Sequence, residues 1–158
     1  MCQKQLHQVA VMCLALLFVP TAIPATKKMA LVVSAGSKLS DISLADLTSL
    51  CKGARKAWPD GKGFSLVIKD PESPEMRSAS QTLFGAAPSV VKSIIAKLNE
   101  NRVVVYVVES DDQLLHTVES TPGAVGILDV YSINSSVKVL RIDGKLPFDV
   151  GYALRGTD

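Results

Sequence analysis

The chain has 158 residues, 47% of them apolar, which is enough for one packed domain and too much for a disordered chain. Lys and Arg total 17 against 15 Asp and Glu, a formal net charge of +2, and there is one Trp. That near balance, with no arginine run, argues against a nucleic-acid partner.

The opening MCQKQLHQ carries Lys4 and no acid. Val9 to Val19 follow as an uncharged, mostly apolar run, Pro20 breaks it, and Ile23 and Ala25 stand before Thr26 in the pattern of a signal-peptidase site. Residues 1–25 are therefore expected to be a cleaved signal peptide and 26–158 the exported, periplasmic domain. The alternative is an uncleaved anchor, since Val9 to Ala25 is about long enough to span a bilayer. Cys2 and Cys13 leave with the signal, so Cys51 has no partner for an internal disulfide.

Ala30 to Ser34 (ALVVS) reads as a buried strand. Ser43 and Asp46 give an S-x-x-D helix start, Leu44, Leu47, Leu50 and Cys51 share one face, and Gly53 ends the helix. KAWPDGKG (Lys56 to Gly63) is a turn by its Pro and Asp-Gly chemistry. Phe64 to Lys69 is the next strand. A helix is expected from about Pro74 to Phe84, closed by Gly85, and another from Pro88 to about Asn99 with Val91, Ile94, Ile95 and Leu98 inward. RVVVYVV (Arg102 to Val108) is the strongest strand, so rich in β-branched residues that burial of both faces is expected. Ser110 and Gln113 form a capping box ahead of Leu114, Leu115 and Val118. Thr121-Pro122-Gly123 turns the chain. Strands follow at Ala124 to Leu128 and Val137 to Ile142, with Tyr152 to Arg155 a candidate edge strand. Strands alternating with amphipathic helices predict an α/β layered fold around a mostly parallel central sheet.

Ligands of such sheets lie beyond the carboxyl ends of strands. The stretch IKDPESPEMR (Ile68 to Arg77) occupies such a position. Lys69 offers an ammonium, Ser73 a hydroxyl, and Arg77 a forked donor. Ser34 and Ser37, after the first strand, are expected to close the cradle from across a cleft. Together these residues have the chemistry to hold a tetrahedral oxyanion without a metal. The competing reading is a plain helix start. Ser73 would be its cap, Pro74 its first residue and Glu75 its dipole-matched acid, with Lys69 and Arg77 paired to Asp70, Glu72 or Glu75.

Other chemistry is scarce. The sequence holds no phosphate-binding P-loop, no G-x-G-x-x-G, no G-x-S-x-G and no His/Cys cluster at metal spacing. Cys51 with His116 is the one nucleophile–base pairing available after Cys2 and Cys13, and nothing local supports it. Cys51 reads as a helix-face core residue, and Asp111-Asp112 as first-turn acids. No catalytic, metal or cofactor site is expected.

The runs KGARKAWPDGK (Lys52 to Lys62) and KDPESPE (Lys69 to Glu75), then TPGAVGIL (Thr121 to Leu128), VKVLRIDG (Val137 to Gly144) and GYALR (Gly151 to Arg155), together resemble the periplasmic phosphate-binding proteins of ABC transporters. The resemblance covers about residues 30–155. It implies a type 2 periplasmic-binding-protein-like fold, in a short stand-alone form that keeps the later portion of the family's chain. It also implies a non-enzymatic solute-binding role, with phosphate or another small oxyanion as ligand and an ABC transporter permease or other envelope protein as partner. Where the family carries an Arg and a Ser-Gly-Thr anion loop, this chain has Lys69, Ser73, Pro74 and Glu75. The last two remove an N–H donor and add a negative charge. These departures motivate an alternative, a periplasmic interaction module that keeps the fold and has lost the pocket.

Overall fold

The computed structural model describes residues 27–155, so the expected signal peptide, 1–25, lies outside the described residues. Seven strands and four helices follow in order: β1 (Met29–Ser34), β2 (Asp41–Ile42), α1 (Leu44–Cys51), β3 (Ser65–Ile68), α2 (Arg77–Phe84), α3 (Pro88–Glu100), β4 (Val104–Val107), α4 (Asp111–Ser120), β5 (Ala124–Asp129), β6 (Val137–Val139) and β7 (Arg141–Ile142). The central sheet has the order β4-β3-β5-β1-β6. β3 pairs in parallel with β4 and β5, whereas β1 is antiparallel to both β5 and β6. Four strands therefore point one way and β1 runs against them, which gives the mostly parallel α/β sheet that the element order predicts.

The period of two along each strand sorts the core into two layers. Leu31, Val33, Leu66, Ile68, Val125 and Ile127 meet α1, α2 and α3 on one face. Ala30, Val32, Val67, Ala124 and Leu128 meet Leu114, Leu115 and Val118 of α4 on the other. Gly126 lies under α4, where a Cβ would stand 2.6 Å from Leu114 and 2.8 Å from Val118. Its missing side chain is what lets helix and sheet approach so closely.

Local signals explain most boundaries. Ser43 Oγ accepts from the Asp46 N–H at 3.0 Å and Ser110 Oγ from the Gln113 N–H at 3.2 Å. Gln113 Oε1 in turn accepts from the Glu109 N–H. Pro88 sits in the first turn of α3, and Gly85 closes α2 in the left-handed conformation.

Five expectations need correction. α2 begins at Arg77, not Pro74, because the Ser73 carbonyl accepts from both the Met76 and Arg77 N–H groups and turns residues 73–76 into a tight bend. Ser73 is therefore not its cap. β4 is an edge strand, with Tyr106 and Val107 exposed. The strand expected from Val137 to Ile142 divides at Leu140, whose N–H turns to the Leu31 carbonyl while Arg141–Ile142 pair in parallel with β2. β2 itself has no counterpart among the expected elements. The Tyr152–Arg155 segment forms one isolated bridge, Lys28 to Arg155, instead of a strand. Tyr152 is nonetheless buried and its hydroxyl accepts from the Leu31 N–H at 3.0 Å; burial pushes that phenol up to about 12.

Candidate functional site

Lys69 is the residue at which β3 ends. Ile68 belongs to the α1–α3 layer, so the next side chain points toward α4, whose first residue is Asp111. Lys69 Nζ lies 2.7 Å from Asp111 Oδ1 and also pairs with Glu75. Its side chain is only 13% exposed, so the ammonium spends its charge on those two carboxylates. Glu75 also accepts from Lys27 at 2.5 Å, and Asp111 Oδ2 accepts from Ser132 Oγ at 2.5 Å.

Electrostatics follow from this geometry. Partial burial works against the charge on Lys69, and hydrogen bonds to Asp111 and Glu75 overcome it, raising its basicity. Partial burial likewise works against Glu75, but Lys27 and Lys69 hold its carboxyl below the usual range. Asp111 behaves the same way through Lys69 and Ser132. Two lysines, Lys27 and Lys69, thus face two carboxylates, Glu75 and Asp111, in one cluster.

Beside it lies a groove of ≈ 590 Å³ between the β3–α2 loop, α3 and the end of β4. Lys69, Ser73, Glu75 and Glu109 line it together with Ile95 and Val107. Ser73 Oγ is buried and has no hydrogen-bond partner among the described residues. Lys92, on α3, pairs with Glu72 at 2.5 Å and Asp70 at 3.3 Å. The carboxylates expected to compensate Lys69 are therefore divided: Glu75 takes Lys69, while Asp70 and Glu72 take Lys92.

The expected ligand set does not assemble as one cradle. Lys69 and Ser73 share the groove. Arg77 is exposed, and its Nε donates to the Glu72 carbonyl at 3.0 Å. Ser34 and Ser37 line a different cavity of ≈ 260 Å³ with Trp58, Lys62 and Thr121. The physical reason is the direction of β1. Being antiparallel, its carboxyl end lies beside the amino ends of β3 and β5, as the pairs Val33 to Val125 and Ser65 to Ala124 require. The turn there engages the Ser34 carbonyl and the Ser37 hydroxyl. The Ser37 N–H donates to the Ser34 carbonyl, Ser37 Oγ accepts from the Leu39 N–H, and Lys138 holds the Ser37 carbonyl.

Sequence reasoning missed Lys27, which precedes the first strand with no motif around it. It also read Asp111 as an ordinary first-turn acid. The strand-end position of Lys69 and the helix-start position of Asp111 were both visible, but their contact depends on how α4 lies across the sheet. Cys51 is fully buried in the α1–α3 layer, where burial pushes its thiol well up, and His116 is exposed on α4 at the opposite face. The two do not form a nucleophile–base pair.

No family model matches the chain. It is 36% identical over 84 residues to the phosphate-binding protein PstS 2 of Streptococcus agalactiae, a match covering 53% of this chain and 28% of that relative. Among solved structures it is similar to an ABC-type phosphate transport receptor from Vibrio cholerae (TM-score 0.57, 19% identity, 77% of this chain and 48% of that one). It is also similar to PstS from Borrelia burgdorferi (TM-score 0.60, 13% identity, 84% and 55%). The match spans about a quarter of the curated relative and about half of each solved chain. The chain therefore shares the α/β fold of these solved structures over about half of their length, and its sequence is similar to a phosphate-binding protein over part of that protein's length.

Proposed function

We propose that this chain is an exported, non-enzymatic solute-binding protein that works with an ABC transporter in the cell envelope and takes phosphate or another small oxyanion at the carboxyl end of β3. The observation that carries this reading is the largely buried Lys69 ammonium at that strand end, in the groove that also holds the unpartnered Ser73 hydroxyl. The similarity to a phosphate-binding protein supports the same solute class. Glu75 occupies the place on Lys69 that an anion would need. An incoming oxyanion must displace that carboxylate, so affinity is set by the competition between the two.

Calorimetric titration with phosphate and with sulfate tests this. Saturable heat at millimolar concentration is expected for the natural protein, and Glu75→Thr should bind about tenfold more tightly by freeing Lys69. Absence of heat from both proteins would remove the oxyanion from the reading. Lys69's saturation by Glu75 and Asp111 favours a second reading, an interaction module whose pocket is filled by its own side chains. That reading expects Glu75→Thr to gain nothing.

A further inference from the structure

The edge of the sheet at β4 is covered at the Val103 N–H and at Val105 and open at Val107. The Val108 N–H donates to the Ile68 carbonyl of β3, so the alternate residues Val103, Val105 and Val107 turn their backbone groups outward. Val103 N–H is taken by the Leu98 carbonyl at the end of α3. Val105 is taken on both sides by the Asn99 carboxamide: its N–H donates to Oδ1 at 2.7 Å, and its carbonyl accepts from Nδ2 at 3.2 Å. Asn99 thus stands in for a neighbouring strand. The outward N–H and carbonyl of Val107 meet no partner among the described residues, and the residue is 50% exposed.

That open position is on the wall of the ≈ 590 Å³ groove. Pro71, Ile95, Val107 and Val108 give the groove an apolar surface. Its charges are unequal. Lys69 and Lys92 each already face two carboxylates, Lys27 faces Glu75, and Glu109 has no ion-pair partner among the described residues. Three carboxylates (Asp70, Glu75, Glu109) stand against two lysines on the groove wall. An occupant that adds positive charge and apolar side chains complements this surface, and an extended backbone complements the free edge.

We propose that the groove and the open end of β4 take an extended peptide segment, apolar and carrying a lysine or arginine, that adds one short strand by pairing with Val107. The basic side chain lies toward Glu109 and Asp70, and the apolar ones rest on Ile95 and Val108. The site goes beyond the oxyanion reading and does not use the Lys69 ammonium.

The test uses a capped pentapeptide alternating valine and lysine, with glutamate in place of lysine as the control, followed by NMR of the protein's amides. The lysine peptide is expected to saturate, to shift the Val107 amide and slow its exchange, and to bind about tenfold more tightly than the control. Val107→Pro removes the outward N–H without touching the β3 ladder and should abolish binding. Glu109→Lys, a surface change that leaves the fold untouched, should weaken it about tenfold. Equal binding of both peptides, no saturable binding, or unchanged binding by either variant overturns the proposal. Phosphate titrated into the same samples separates the two readings. Phosphate heat without peptide binding overturns only this proposal, and peptide binding without phosphate heat overturns only the oxyanion reading.

Discussion

The two ends of the central sheet are held by different physics. At the amino ends of β3 and β5, beside the cavity that Ser34 and Ser37 line, the contacts around Trp58 are neutral and packed. Trp58 is 3% exposed, its Nε1–H donates to the Gly123 carbonyl at 2.8 Å, and its ring meets Phe64 edge-on at 5.5 Å. Gly123 has φ near 80° and lies so close to Gly63 that a Cβ would fall 2.2 Å from its carbonyl oxygen. At the carboxyl end of β3 the contacts are charges: Lys27, Lys69, Glu75 and Asp111, partly open to water. Packed neutral contacts are strong and insensitive to pH, while the ion pairs, largely buried at Lys69 and Glu75, respond to it. The first end is fixed by neutral packing, and the second by charges that depend on one another.

The largest break in this contrast should come from Trp58→Ala, which removes a buried ring and its hydrogen bond. A loss of about 3–5 kcal/mol is expected in urea unfolding. Gly123→Ala follows, with a loss of about 1–3 kcal/mol from left-handed backbone strain and the collision with Gly63. Glu75→Thr at the other end leaves the largely buried Lys69 to Asp111 alone and should cost about 1–2 kcal/mol while tightening anion binding.

The smallest effect is an acid-side pH dependence that comes from the charged end. Glu75 and Asp111 titrate below their ordinary values of 4.5 and 3.8 when folded, so the unfolded chain takes up their protons first. Their contribution is full above those ordinary values and disappears as pH falls through the folded ones. Lys69 titrates above 10.5, so its contribution is lost only in stronger base. A stability plateau through neutral pH with an acid limb is expected, and Glu75→Thr should shallow that limb. Trp58→Ala should lower the plateau and leave the limb's shape unchanged.

Much of the fold was legible because local chemistry agreed with tertiary demand. Ser43 and Ser110 cap the helices they announce, and the apolar runs at Ala30, Phe64, Arg102 and Ala124 supply strands of the central sheet. What failed depends on partners distant in the chain. Nothing within ALVVS tells which way β1 runs, and that direction sends Ser34 and Ser37 to the far end of the sheet from Lys69. RVVVYVV was read as a fully covered strand, yet a side-chain amide, Asn99, guards its outer edge. Ser73-Pro74-Glu75 carries the composition of a helix start, but hydrogen bonds from Met76 and Arg77 to the Ser73 carbonyl form a bend first. Of the expected ligand set, Lys69 and Ser73 reach the groove. Asp111, recognised as an acid, became a partner of Lys69 only through the packing of α4.

Tyr152 fastens the tail of the described chain to β1, and the bridge from Lys28 to Arg155 sets the two boundary segments side by side. A host protein's loop would therefore meet this unit through two adjacent strands of chain entering and leaving at one spot. Spliced into such a loop, the sheet keeps its order and every pairing it contains. Linking residues 27 and 155 and reopening the chain at the exposed Asp60-Gly61 turn would leave the same molecule with new termini.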